Sequence, residues 1–352
     1  RWALISCSIL FVLMVAACGG EATNEQQPDP SNEQNTEGEA NEESGEATVD
    51  LSDESILIAT PSSGSTGHTL GTAAGEFFYR QLGINVSVEP IGAGEAPLFQ
   101  MDEGTVDFSI LPVLPAYNAY KGIDQFDKPI NVKLFSLGEN AFRVLISPKG
   151  TNITSLDQLK GKVFMGIRPG LSEFDKITKA ILDEAGLTEN DVKLVSNTTS
   201  PETVDSIRTR AVDVAIFPAA AKNPNLTELF QDDAVEFVQL DEETLQGILD
   251  RLPPVFVIDT IEAGHYPNQE EEHTAIAIPH VWVVSGDLSE EIVYNMAKAM
   301  WENFDEFSEL QAAAPYYSVE NNTKSPPPIP FHPGVKKYFE EIGVWDESLD
   351  IE

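Results

Sequence analysis

VDFSILP, Val106–Pro112, returns as VDVAIFP at Val212–Pro218, with valine, aspartate, isoleucine and proline in the same places. A seven-residue apolar strand can recur by chance, so the neighbours decide. Upstream of the first copy lie a β-rich run, SILIAT (55–60), and a helix over 67–82. In that helix Leu70, Ala74, Phe77, Phe78 and Leu82 share one face, and Gly83 stands just past the end. A strand, INVSVEPI, and a short helix, EAPLFQMDEG, complete the approach, and the Tyr-rich helix AYNAYKG follows. Upstream of the second copy the same order appears: GKVFMGI (161–167), the loop RPG, the helix LSEFDKITKAILDEAG, DVKLVSN and SPETVDSIRTR. Strands alternating with helices predict parallel pairing, here in two similar α/β lobes.

In open parallel sheets a ligand lies beyond the carboxyl ends of the strands, where helices begin. Two such lobes face to face make a cleft that a hinge can close. The loop after the first strand, in ATPSSGSTGHTLG (Ala59–Gly71), is rich in glycine and hydroxyl residues but lacks the lysine of a phosphate loop. Its glycines, Gly64 and Gly67, admit close backbone approach, and Ser63, Ser65 and Thr66 add hydroxyl donors at a helix N-terminus that favours an anion. A plain N-cap turn is the alternative. His68 reads either as a ligand contact or as part of that turn. Topology adds the strand-end segments Val113–Leu114 and Ala219–Ala220, and Tyr117 on the third helix is either core packing or a ligand contact.

In the second lobe Arg168 and Ser172 occupy the corresponding loop. The planar fork of a guanidinium suits a carboxylate, which makes Arg168 the expected clamp; the alternative is a surface ion pair with nearby Glu173 or Asp175. Arg143, in NAFRVLIS, is expected to project into solvent rather than reach the cleft.

The chain starts with an apolar run, WALISCSILFVLMVAACGG, of signal-peptide length. Val15-Ala16-Ala17-Cys18-Gly19 resembles a bacterial lipobox, which implies a signal segment over 1–17 and lipidation of Cys18; an ordinary signal peptide or anchor helix is the other reading. The second cysteine, Cys7, lies inside that run, so the body carries no internal disulfide. From 18 to 54 the chain is acidic and polar, a composition expected of a solvated tether. The formal net charge of −37 argues against nucleic acid as a partner.

The body has a family likeness. ILIATPSSGSTGHTLGTAAGEFF, EGTVDFSILPVLPAYNAYKG, SLDQLKGKVFMGI, AGHYPNQEEEHTAIAIPHVWVVS and FHPGVKKYFEEIG resemble the TAXI group of solute receptors of TRAP (tripartite ATP-independent periplasmic) transporters. The resemblance implies an α/β, two-lobed type II periplasmic-binding fold with an interlobe cleft. It also implies an extracytoplasmic, lipid-anchored and monomeric receptor that passes a small organic acid (dicarboxylate, keto acid or acidic amino acid) to a membrane permease. Lobe 1 is expected over 55–140 plus 255–352 and lobe 2 over 141–254. The chain departs from the group where Pro61–Thr69 stands in place of a glycine-rich run followed by an aromatic pair. It departs again at Pro112-Val113-Leu114, in place of a Gln-Ser-Asp, and at Arg168–Glu173, which brings a charge where the group has small residues.

Catalysis, a cofactor and a metal are not expected. The five histidines are scattered, and neither a metalloprotease helix motif nor a nucleophile elbow occurs. The acid run in NQEEEHTAIAIPH reads as a solvated loop before a strand. SPPPIPFHPG reads as a stiff crossing that opens the last helix at His332, and LSEEIVYNMAKAMWENFDEF as one long amphipathic helix burying Ile292, Met296, Met300 and Phe304.

Overall fold

The repeated aspartates explain how each lobe is built. A computed structural model of the chain describes residues 50–219 and 222–351. The leader, Cys18, most of the tether and Ala220 lie outside the described residues. In the first half come strand β1 (Ser55–Ala59), helix α1 (Thr66–Leu82), β2 (Asn85–Glu89), α2 (Ala96–Asp102), β3 (Phe108–Pro112) and α3 (Val113–Lys121). After a long strand, β4 (Val132–Pro148), the order returns as β5 (Val163–Ile167), α4 (Ser172–Glu184), β6 (Lys193–Ser196), α5 (Ser200–Arg208), β7 (Val214–Ala219) and α6 (Pro224–Gln231).

In both halves the third strand pairs in parallel with the first. Just before it, Asp107 Oδ2 accepts the Leu57 N–H at 2.8 Å and Asp213 Oδ2 accepts the Val163 N–H at 2.8 Å. Each aspartate returns its own N–H to the carbonyl of the same residue, at 3.1 Å and 2.9 Å. The shared Val-Asp therefore marks the point where two parallel strands are stitched in register.

The rest of the chain joins the halves. β8 (Val235–Phe237), α7 (Glu242–Leu249) and β9 (Val257–Ile261) lead to β10 (His273–Ser285), and α8 (Glu290–Glu302), α9 (Phe304–Ser308), α10 (Val319–Thr323) and α11 (Pro333–Glu341) close the chain. Among the described residues the strands form one ten-stranded sheet in the order β2-β1-β3-β10-β4-β7-β5-β6, with β8 on β4 and β9 on β10. β4 and β10 are long enough to serve both halves. The C-terminal part of β10 lies between β3 and the start of β4, while the end of β4 pairs with β7.

The core of the first half is aromatic: Trp282 stacks on Phe135, which stacks on Trp301, with Phe77, Phe307 and Tyr317 around them. A separate cluster in the second half gathers Val144, Ile146, Phe217, Leu226 and Phe230. The helix expected across 288–307 is divided. Ile292, Met296 and Met300 are buried as expected and Phe304 packs on the core. The break falls at Asn303, whose side-chain amide donates to the Ala299 carbonyl at 2.9 Å and so competes with the helical ladder. The proline-rich segment runs along β4, with Leu134 N–H donating to Pro330 and His332 N–H to Leu134, and His332 Nδ1 then accepts the Gly334 N–H to start α11.

Candidate functional site

At the first-half mouth the chain turns from β1 to α1 through Pro61–Ser65. Ser65 is the N-cap, its hydroxyl accepting the His68 N–H at 3.2 Å, and Gly64 takes φ 80°, which its lack of a Cβ permits. Ser63 and Gly64 are exposed; Ser65, Thr66, Gly67 and His68 are half-buried. The His68 ring is held by the buried Thr60, Nδ1 to Oγ1 2.8 Å, so the imidazole braces the turn. The first amides of α1 have no acceptor within the helix, which leaves partial positive charge at this loop.

β3 delivers Val113 to the first turn of α3, with its side chain in the core, so only its backbone is available to a solute. Tyr117 is half-buried and packs against the core. In the second half Ala219 is buried and pairs with Phe142, so it too can offer only backbone.

The α4 mouth carries charge. Glu173, in the first turn of α4, is fully buried and accepts from Arg143 Nη2 at 3.0 Å. Arg143 is itself 5% exposed and also donates to the Ala141 and Phe142 carbonyls. The expectation that Arg143 projects into solvent is thus overturned, because β4 carries it inward beneath α4. Arg143 pairs with Oε1 of Glu173, whose Oε2 has no hydrogen-bond partner among the described residues, and Arg168 has no carboxylate within ion-pair distance among them; its one side-chain hydrogen bond is a long one, 3.4 Å, to Ser200 Oγ. Burial, and then the neighbouring Arg143, lower the pKa of Arg168, opposed by Glu173 and Glu202. A guanidinium stays charged even so. Arg168 and Arg143 each lie 5.9 Å from the Phe174 ring centroid.

The two mouths meet. Ser172 Oγ donates to Glu95 Oε1 at 2.9 Å, joining α4 to the loop before α2. Beside it the backbones touch: a Cβ on Gly94 would stand 2.8 Å from the Gly170 carbonyl oxygen. Lys176 Nζ reaches Asp124 Oδ2 at 2.8 Å, and Asn118 holds that same carboxylate. Glu95, Asp124 and Lys176 were not singled out in the sequence; the pair Gly92 and Gly94 after β2 was the available signal for a close approach.

Between the mouths, where β4 and β10 cross, lies a buried polar cluster also not foreseen. His280 Nδ1 is 2.9 Å from Glu139 Oε1, and the Tyr317 phenol faces the same carboxylate. Among the described residues there is no group of three or more His, Cys, Asp or Glu that could hold a metal ion, and no helix long and apolar enough to cross a membrane.

Comparison with solved structures finds the same architecture. PhnD1 from Prochlorococcus marinus MIT 9301, solved with methylphosphonate, matches with TM-score 0.51 and 13% identity over 75% of this chain and 94% of its own. The sulfonate-binding protein SsuA of Methylobacillus flagellatus (TM-score 0.47, 17% identity, 75% of this chain and 74% of that one) is a more distant likeness. So is a phosphonate-transporter binding component of Pseudomonas aeruginosa (0.47, 12%, 74% and 80%). The fold is the α/β two-lobed type II periplasmic-binding fold with an interlobe cleft. The NMT1-like family model matches residues 58–343, from the middle of β1 to just past α11, and the chain belongs to the NMT1-like family.

Proposed function

We propose that the chain is an extracytoplasmic solute receptor. It captures a small organic acid between lobe 1 (55–140 plus 255–352) and lobe 2 (141–254), and is anchored to the cell membrane through lipidated Cys18. Arg168 carries this reading: it is a half-buried guanidinium at the mouth of α4, without a carboxylate in ion-pair distance among the described residues, beside an acid residue paired with Arg143. Such a cation is suited to a bidentate contact with an incoming carboxylate. Ser63–His68, the backbone at Val113 and Ala219–Ala220, Tyr117 and Ser172 complete the contact set in this proposal. A TRAP-type permease is the proposed recipient, on the strength of the TAXI-like motifs.

Thermal-shift screening against amino acids, dicarboxylates and keto acids tests the receptor reading, since a ligand that binds only the folded state raises the melting temperature. An acid that does so should bind Arg168→Ala roughly 10- to 100-fold more weakly, the worth of a charged hydrogen bond. Unchanged affinity removes Arg168 from the site, and a panel without a single shift removes the receptor.

A further inference from the structure

Each mouth offers a positive group, the first amides of α1 in one and Arg168 in the other, while the crossing between them holds a carboxylate. Glu139 is 4% exposed, and its Oε2 has no hydrogen-bond partner among the described residues. His280 Nδ1 shares a hydrogen bond with the other oxygen, Oε1, at 2.9 Å. Tyr317 lies against the same spot: a Cβ on Gly138 would stand 2.5 Å from its hydroxyl oxygen, so glycine is what lets the phenol reach the strand. Burial, and then the Glu139 charge and hydrogen bond, push the Tyr317 phenol well above its usual range, so it stays a neutral donor.

The backbone is also irregular here. β10 pairs Pro279 with Asn140 but Val281 with Leu137, so His280 faces two residues, Gly138 and Glu139, across a bulge. On its other side His280 pairs with Pro112, the last residue of β3, immediately before the α3 N-terminus. Tyr317 ends a 3-10 turn (Ala314–Tyr317), and the segment just before that turn reaches the first mouth, where Gln311 Nε2 donates to the Thr66 carbonyl at 3.1 Å. The cluster is thus tied to the start of α1 and the end of β3, at the crossing of the two lobes.

A buried carboxylate oxygen without a donor is costly unless something supplies one. We propose that Glu139, oriented by His280 and Tyr317, is a specificity-determining residue whose free oxygen receives an N–H of a protonated amine on the solute. The preferred solute is therefore a zwitterion, its acid group at the α1 amides and Arg168 and its ammonium at Glu139. This rests on the receptor reading and narrows it.

Calorimetry on the full chain with acids differing only at that nitrogen, glutamate against 2-oxoglutarate and alanine against pyruvate, tests it. The wild type should prefer the amine-bearing member of a bound pair by about tenfold or more, and Glu139→Gln should lose most of that preference while holding the keto acid within about threefold. A wild type that prefers the keto acid overturns the inference without any variant. A preference that Glu139→Gln leaves intact does so as well, with the receptor reading standing. Failure of the wild type to bind any member of either pair overturns the zwitterion assignment, and failure against the wider acid panel overturns the receptor reading too.

Discussion

Ser172 and Glu95 are 77 positions apart and share a 2.9 Å hydrogen bond, so the first turn of α4 is tied to the loop that enters α2. With Lys176–Asp124 it forms a pair of polar ties across the gap between the lobes. Both are partly exposed, so each is expected to favour the closed form by about 1 kcal/mol, roughly a fivefold shift in population. Small-angle scattering of ligand-free Glu95→Gln/Asp124→Asn should show a larger radius of gyration than the wild type. Identical scattering curves would mean that these ties do not hold the lobes together.

The Arg143–Glu173 pair has side chains only 3% and 0% exposed. Arg143→Met leaves a buried carboxylate uncompensated and should cost about 3–5 kcal/mol in urea unfolding. Arg143→Met/Glu173→Met should recover most of that loss. A double variant as unstable as the single would show that the damage comes from packing rather than charge.

Asp107 and Asp213 perform one task in two places, so Asp107→Ala and Asp213→Ala should each lower unfolding stability by about 1–3 kcal/mol. Being in separate halves without shared partners, they should combine additively within about 0.5 kcal/mol. A large departure from additivity in a double-mutant cycle would indicate that the halves are more tightly coupled than their separate stitching implies.

Two buried histidines weaken the fold in acid. Burial pushes His273 and His332 down to about 4 from an ordinary 6.5. His273 is stacked on Phe237 at 4.0 Å with Nδ1 on Gln239, and His332 uses Nδ1 as a helix cap. Folded, both stay neutral between pH 6.5 and 4 while the unfolded chain takes up protons. Their stabilisation is complete above 6.5 and is lost as pH falls toward 4, with a slope of up to about 3 kcal/mol per pH unit for two protons. Melting temperature followed across that window should fall, and His273→Gln should flatten the slope. A variant with an undiminished slope would remove His273 from this account.

Much of the fold was legible in the sequence because its decisive signals are local. The repeated Val-Asp strands, the 3.6-residue faces and the glycine stops are all set within a few residues of one another. The positions of Arg168 and Ser172, where a strand gives way to a helix, were legible for the same reason. Glu139 was not. In GENAF it looks like a polar interruption of an apolar run, and its burial depends on His280, 141 positions away, and on Tyr317. Arg143 was misread as solvent-facing because its partner, Glu173, belongs to a helix across the sheet. Such long-range pairs leave no periodic trace, and Asn303 shows the converse, a side chain whose competition with its own helix divides what periodicity alone presents as continuous.

The slot that β10 occupies has a consequence for biosynthesis. β3 and β4 are made early but are not neighbours in the finished sheet; a strand ending at Ser285 must be laid between them. Until that strand arrives, an incomplete chain holds two unpaired edges with an apolar gap, the kind of surface on which chains associate wrongly. Maturation of this lobe therefore waits for late synthesis, and truncations that stop before Ser285 should be found in aggregates rather than as a free-standing lobe.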